Sequence, residues 1–248
     1  MHVLLLVFLF VFGACLGSFG SVIISRVPLR KSIGGRSQCP QCRKQIGACD
    51  LIPILSFLLL RGMCRHCGKK ISVRYPLLEL GSALLVVAPA LHEGYIDPFT
   101  VTLGIALWLF LLLAVMDGDA KHIPDAVTFP FLIVALGSAV LRGNTAWIAP
   151  LVGGGFFFLQ WAISRGRIMG SGDIFIGIAM GLILGTWQNT LLAIGLSYII
   201  GAVVVSILLV REIFSRRDRI AFVPFLFVGT LTVFMFEDLL LAILIPAL

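Results

Sequence analysis

The sequence predicts an all-α, polytopic membrane protein with about eight transmembrane helices and one sizeable hydrophilic loop. Three observations carry that expectation. Of 248 residues, 59% are hydrophobic and only 12% charged, about half the charge of an ordinary soluble domain. Mean hydropathy is +1.07, and the apolar residues gather in runs suited to a hydrocarbon layer of about 30 Å. The basic residues behind the formal net charge of +7 lie between those runs. There they set orientation and meet anionic headgroups. Membrane lipid is therefore an expected partner, and the positive charge carries no nucleic-acid reading.

Residues 3–24 are apolar and uncharged. No basic stretch precedes them and no A-x-A site follows, so residues 1–25 are read as a retained first span and not as a signal peptide. Phe12-Gly13-Ala14-Cys15 resembles a lipoprotein cleavage box only faintly. Residues 26–76 form the hydrophilic loop, with Arg26, Arg30, Lys31, Arg36, Arg43, Lys44, Arg61, Arg65, Lys69, Lys70 and Arg74 set against the single acid Asp50. Its inner apolar run, 51–60, is too short to span and is expected to pack on the loop or lie at the interface. Residues 77–248 are expected to form a seven-helix core, with spans near 77–91, 100–116, 126–141, 146–163, 174–185, 190–210 and 221–236. Glu237, Asp238 and a further apolar stretch follow.

Counting basic residues loop by loop sets the topology. With the hydrophilic loop inside, Lys121, Arg165, Arg167, Arg211, Arg216, Arg217 and Arg219 fall on the same side. Only Arg142 falls outside, so eighteen of the nineteen Lys and Arg are inside. Such asymmetry predicts eight spans with both termini outside and the loop in the cytoplasm.

That compartment decides how the cysteines read. Cys39-Pro40-Gln41-Cys42 and Cys64-Arg65-His66-Cys67 are separated by 21 residues. Thiols stay reduced in the cytoplasm, and two such knuckles offer four thiolates in tetrahedral geometry, which suits structural zinc. A loop with few apolar groups cannot readily fold alone, and metal binding supplies the missing free energy. Four unliganded thiols and a redox relay are the alternatives. Cys15 and Cys49 lie apart from the pairs.

Aspartates occur where apolar runs meet short polar loops. Segment 116–125 (MDGDAKHIPD) carries Asp117, Asp119 and Asp125, and Gly170-Ser171-Gly172-Asp173 opens a later span. Any one of these taken alone reads as a capping or interface residue. Gly177, Gly181 and Gly185 recur every four residues on the helical face of Asp173, a small-residue stripe that lets helices pack closely in lipid. Asp173 is thus expected to point into the bundle. Span three runs inward and ends at Asp117; span six runs outward and begins at Asp173, so both can sit at one depth. Ionisable groups there mark function, and two carboxylates sharing a proton can activate a water. From the ends of their helices, Asp173 is expected to carry the charge and Asp117 the proton. Asp119 reads as a loop residue outside the pair.

At this point the chain resembles the type IV prepilin leader peptidases, the bacterial branch of the G-x-G-D aspartic proteases, over nearly its whole length. Gly17-Ser18-Phe19 with Arg26-Val27-Pro28 is similar to the family's first-span signature, and the cysteine pairs, Ile52-Pro53 and Leu55-Ser56 are similar to its zinc loop. Arg74-Tyr75-Pro76-Leu77-Leu78-Glu79-Leu80 is the most specific match. The resemblance implies that Asp117 and Asp173 are catalytic, that Cys39, Cys42, Cys64 and Cys67 hold zinc, and that the substrates are prepilins or pseudopilins at a bacterial inner membrane. Asp125, beside Pro124, matches a further family residue. Many members also N-methylate the new N-terminus with S-adenosylmethionine, and Gly62 matches a position linked to methylation. No glycine-rich nucleotide fingerprint accompanies it. The sequence departs from the family at Ser21 and Leu51, where Asn is frequent, and at Phe175, where Lys is usual. It departs again at Ala221-Phe222-Val223-Pro224, in place of P-F-G-P.

Two rival readings use the same residues. A proton or ion transporter would use Asp117 and Asp173 as a relay; a membrane thiol oxidoreductase would use the C-x-x-C pairs. Neither requires the two features together. The topology is open to test: single cysteines near Glu93, Arg142 and Trp187 should react with an impermeant reagent from outside. Labelling near Arg165 or Arg217 instead would part the two aspartates across the bilayer.

Overall fold

The computed structural model describes residues 2–143, 147–167, 169–213 and 220–244. Ala146, where the fifth span was expected to start, and Arg216, Arg217 and Arg219 of the charge count lie outside the described residues, as does the chain beyond residue 244. Among the described residues there is no strand, only isolated bridges between Gln38 and Gln45 and between Met63 and Lys70. The fold is all-α, as expected, and four of its helices, against about eight expected spans, are long and apolar enough to cross a membrane: Val3–Arg26, Arg74–Glu93, Pro98–Ala120 and Trp187–Val210. Asp125–Leu141, Ile148–Ser164, Gly172–Leu184 and Val223–Glu237 are shorter apolar helices. The chain divides into two compact units, Met1–Trp108 and Leu109–Leu248.

The first unit holds α1 (His2–Arg26), a 3-10 turn (Ala48–Leu51), α2 (Leu55–Leu59), α3 (Arg74–Glu93) and the first half of α4 (Pro98–Ala120). Helices α1 and α3 pack antiparallel through glycine. A Cβ on Gly13 would lie 2.8 Å from Ala83 Cα, and one on Gly17 would lie 2.6 Å from Glu79 Cα. These two glycines, four residues apart, give the close backbone approach that stands in for a hydrophobic driving force in lipid. Gly94 ends α3 with φ +77°, the left-handed conformation that glycine adopts without strain. Asp97 and Thr100 then cap α4 reciprocally. Asp97 Oδ1 accepts from Thr100 N at 2.8 Å and Thr100 Oγ1 accepts from Asp97 N at 3.1 Å, while Pro98 stands first in the helix, where no N–H is needed.

The second unit contains the rest of α4, α5 (Asp125–Leu141), α6 (Ile148–Ser164), α7 (Gly172–Leu184), α8 (Trp187–Val210) and α9 (Val223–Leu244). Its centre is α7, which packs on α5, α6, α8 and α9 and buries Ile176, Gly177 and every residue from Ala179 to Leu184. Gly153 and Gly177 meet backbone to backbone, and Gly181 lies on Ala149 and Pro150. Two of the three predicted stripe glycines therefore serve the α6–α7 contact. The third does not: Gly185 has φ +77° and ends the helix. Arg142 Nη1 donates to the Ile183 carbonyl at 3.3 Å, meeting one of the carbonyls that a helix end leaves free. Thr186 caps α8 by accepting from Asn189 N. The last helix has a break at Phe236 (φ −132°, ψ 26°) and resumes to Leu244.

The glycine contacts predict a contrast on one helix. Gly153→Ala would drive a methyl into the Gly177 carbonyl and should cost about 1–3 kcal/mol by overpacking, seen as a lower unfolding temperature in detergent. Gly155→Ala, whose Cβ would meet nothing within 4 Å, should be neutral or slightly stabilising.

Candidate active site and metal centre

In the second unit the structure buries both predicted aspartates, each 7% exposed. Asp117 sits in the last turn of α4, which closes as Lys121 N donates to the Asp117 carbonyl at 2.7 Å and Lys121 turns to φ +52°. Its Oδ2 accepts from Val223 N at 3.0 Å, and the Phe222 amide also serves this carboxylate. Val223 and Pro224 open α9, so the carboxylate lies at a helix N-terminus, where free N–H groups and positive partial charge receive an anion. Asp173 opens α7, and its Oδ2 accepts from Gly170 N at 3.1 Å. The Gly-Ser-Gly-Asp turn thus folds back onto its own acid.

The loops carrying the two acids touch. A Cβ on Gly172 would lie 3.3 Å from Ile123 Cδ1, and one on Gly118 would lie 3.9 Å from Pro224 Cγ. Asp117 and Asp173 interact electrostatically, and His122 lies within electrostatic range of Asp117. Asp119 and Asp125 are exposed, whereas the pair is buried. Asp119 lies in the last turn of α4, where the sequence suggested a loop. Phe175 makes an edge contact with Phe129 of α5, ring centroids 5.7 Å apart, so an aromatic partner is in place where a lysine was the expectation.

In the first unit the two cysteine pairs form matching knuckles. Cys39 N donates to Lys44 O and Arg43 N to Cys39 O; Cys64 N donates to Lys69 O and Gly68 N to Cys64 O, all at 2.9–3.0 Å. Arg43 (φ +56°) and Gly68 (φ +65°) occupy the same turn position. The four sulfurs lie within 4.8 Å of one another, with Cys39 and Cys67 Sγ 3.9 Å apart. A tetrahedral ion with metal–sulfur bonds of about 2.3 Å sets its ligands about 3.8 Å apart, so the cluster fits a four-thiolate metal. Backbone N–H groups of Cys42 and Gln41 hold the Cys39 thiol down to about 6. The Lys69 amide favours the Cys67 thiolate, but burial and the three neighbouring sulfurs outweigh it and push that thiol up to about 11. Successive thiolates oppose one another, and a bound cation removes that opposition.

Two functional contacts escaped the sequence reading. Glu79, 9% exposed on α3, accepts the Ile54 N–H at 2.7 Å. Ile54 has φ +62° and ψ −52°, a strained conformation for a β-branched residue, and Glu79 anchors it. The signal was present, because an acid inside an apolar span needs a partner. The second is the amide of Val223. Pro224 at a helix start marked the place, but no side chain announces a backbone donor.

Two family models match the chain: the bacterial peptidase A24 N-terminal domain over residues 11–92 and the type IV leader peptidase family over residues 104–206. A prepilin leader peptidase/N-methyltransferase of Bacillus subtilis is 34% identical over 236 residues, covering 93% of this chain and 94% of that protein. Proteins of the same name from Myxococcus xanthus and Neisseria gonorrhoeae are 37% and 32% identical. They cover 80% and 92% of this chain, and 61% and 89% of their own lengths. No solved structure matches. Matched in both halves and across nearly the full length of such a relative, the chain belongs to the type IV leader peptidase family.

Proposed function

We propose that the chain is an aspartic endopeptidase that cuts the short basic leader from type IV prepilins and pseudopilins at the cytoplasmic face of the bacterial inner membrane, and that it N-methylates the terminus so released. The observation that carries this reading is the buried, interacting pair Asp117 and Asp173, each held by a backbone amide. One carboxylate takes a proton from a water while the other, protonated, donates to the scissile carbonyl oxygen. The water oxygen adds to the carbonyl carbon. The tetrahedral intermediate then collapses as the leaving nitrogen takes up a proton, and no acyl-enzyme forms. Helix ends alone suggested that Asp173 carries the charge, but the amides of Val223 and Phe222 also serve Asp117, so the shared proton belongs to the pair. Family membership leaves the ion-relay and thiol-oxidoreductase readings without support.

Orientation rests on the basic residues, eighteen of which share one side when eight spans are drawn. In that arrangement 26–76 is a cytoplasmic module between the first span and a seven-helix core. The leader lies in the cytoplasm while the apolar helix behind it lies in lipid, so the scissile bond meets the aspartates. Cys39, Cys42, Cys64 and Cys67 hold zinc, which supplies folding free energy to a loop with few apolar groups. S-adenosylmethionine is the methyl donor. Gly62 has φ +68°, and a Cβ there would lie 3.0 Å from Phe57 Cζ, so a side chain at that position would distort the turn before Cys64.

Purified protein should contain about one zinc per chain, and Cys→Ser at any of the four positions should release it. Metal analysis that finds none, alongside four freely titrating thiols in folded protein, removes the assignment. With a synthetic prepilin and mass spectrometry, Asp117→Asn and Asp173→Asn should each lower cleavage by roughly 10²–10⁴-fold without unfolding the protein. Asp119→Asn should be mild. Cleavage that persists in both pair variants ends the aspartic-protease reading.

A further inference from the structure

Beside the aspartates lies a polar and aromatic cluster that the proposed chemistry leaves unused. Tyr198, midway along α8, donates its hydroxyl to Gln160 Oε1 of α6 at 2.9 Å. Its ring packs on Phe222 with centroids 4.8 Å apart and meets Phe156 edge-on at 6.0 Å. Phe222 immediately precedes Val223, and both amides serve Asp117. Tyr198 also lies within electrostatic range of Asp173. One turn further along α8, Gly201 is buried, and a Cβ there would come within 3.4 Å of Phe225 and 3.7 Å of Phe222. Helix α8 thus approaches the start of α9 closely, with Tyr198 beside the contact. The Tyr198–Gln160 hydrogen bond links the middle of α8 to α6 across two predominantly apolar helices, and polar groups placed within such spans often mark function.

We propose that Tyr198 is a positioning residue for the aspartate pair. Its ring braces the 222–223 segment that holds Asp117, and its hydroxyl, tied to Gln160, fixes that ring beside the start of α7. The inference rests on the pair being catalytic. Its physical basis is the steep dependence of catalysis on geometry, where a displacement of about 1 Å can cost about 10²-fold. Tyr198 acts through the segment that it holds and exchanges no proton with substrate.

The test is steady-state cleavage of a synthetic prepilin, a basic leader followed by an apolar helix, by the full chain in lipid nanodiscs. Tyr198→Leu removes the ring and should lower kcat by roughly 10–100-fold with KM unchanged. Tyr198→Phe keeps the ring on Phe222 and should recover most of that loss. Should Tyr198→Leu fail to fold, the milder set decides. Tyr198→Phe and Gln160→Leu should each lower kcat severalfold, and the double variant should be no worse than the weaker single, because both break one hydrogen bond. Unchanged kcat in Tyr198→Leu, a raised KM with kcat retained, or strictly additive losses in the double variant overturn the proposal. Wild-type protein that leaves the prepilin whole ends the peptidase reading and this inference together. Wild-type cleavage with an unmoved Tyr198→Leu ends only the inference.

Discussion

A carboxylate removed from water costs several kcal/mol unless donors receive it, and the second unit is arranged to meet that cost twice. Asp117 needs the amides at the start of α9, so the chain must return from α8 and begin a helix at Val223, beside the end of α4. Asp173 needs the Gly170 amide, so Gly170–Asp173 must turn tightly enough for one N–H to reach the acid three residues on. Neither demand is met by a lone helix in lipid. Glycine then brings the frame together: Gly153 against Gly177 and Gly181 against Ala149 place α7 at backbone distance from α6, and α5, α8 and α9 pack around it.

The first unit handles a different shortage. Its loop has few apolar side chains to bury, and Leu55, Leu58 and Leu59 of α2 remain exposed. Order comes from elsewhere. Four sulfurs gathered within 4.8 Å offer the loop a metal-centred core. Glu79 reaches from α3 to the strained Ile54 backbone, and Asp50 takes Arg65 in a bidentate pair of 2.7–3.1 Å. That ion pair is well exposed on the arginine side, so its worth is small; the buried Glu79 contact is the one whose loss would be felt. Strain of this kind persists only where surrounding contacts over-determine it.

The helices were legible because lipid allows few backbone solutions, and an apolar run bounded by glycine, proline or charge has little choice but to be one. Expected spans at 126–141 and 190–210 meet α5 (Asp125–Leu141) and α8 (Trp187–Val210) within a few residues. Side chains with distinctive chemistry were legible too, since acids at span ends and paired thiols stand out in such a composition. Backbone roles were not. Gly185 continued the spacing of Gly177 and Gly181 and was read with them, yet it terminates the helix, because periodicity reports a face and not where that face stops. Gly13 and Gly17 were noted only within a faint cleavage box and a first-span signature, and not as the residues that seat α1 on α3. The amide of Val223 has no signature at all, since every residue but proline carries one.

That last point explains which departures from the family pattern the site can absorb. Where P-F-G-P was expected, Ala221-Phe222-Val223-Pro224 stands, and the glycine has become a buried valine. The position contributes an N–H to Asp117, and Val223 supplies it from a helical backbone as well as glycine would. Pro224, which no longer needs an N–H at a helix start, is kept. Phe222 is kept as well, and its ring is what Tyr198 packs upon. Phe175 follows the same logic from the side-chain direction: with Phe129 opposite it on α5, an apolar ring is satisfied in lipid without the partner that a lysine would demand. The carboxylates themselves have no such latitude, because no backbone group can take over an acid. Tolerance here is set by whether a position offers its backbone or its side chain.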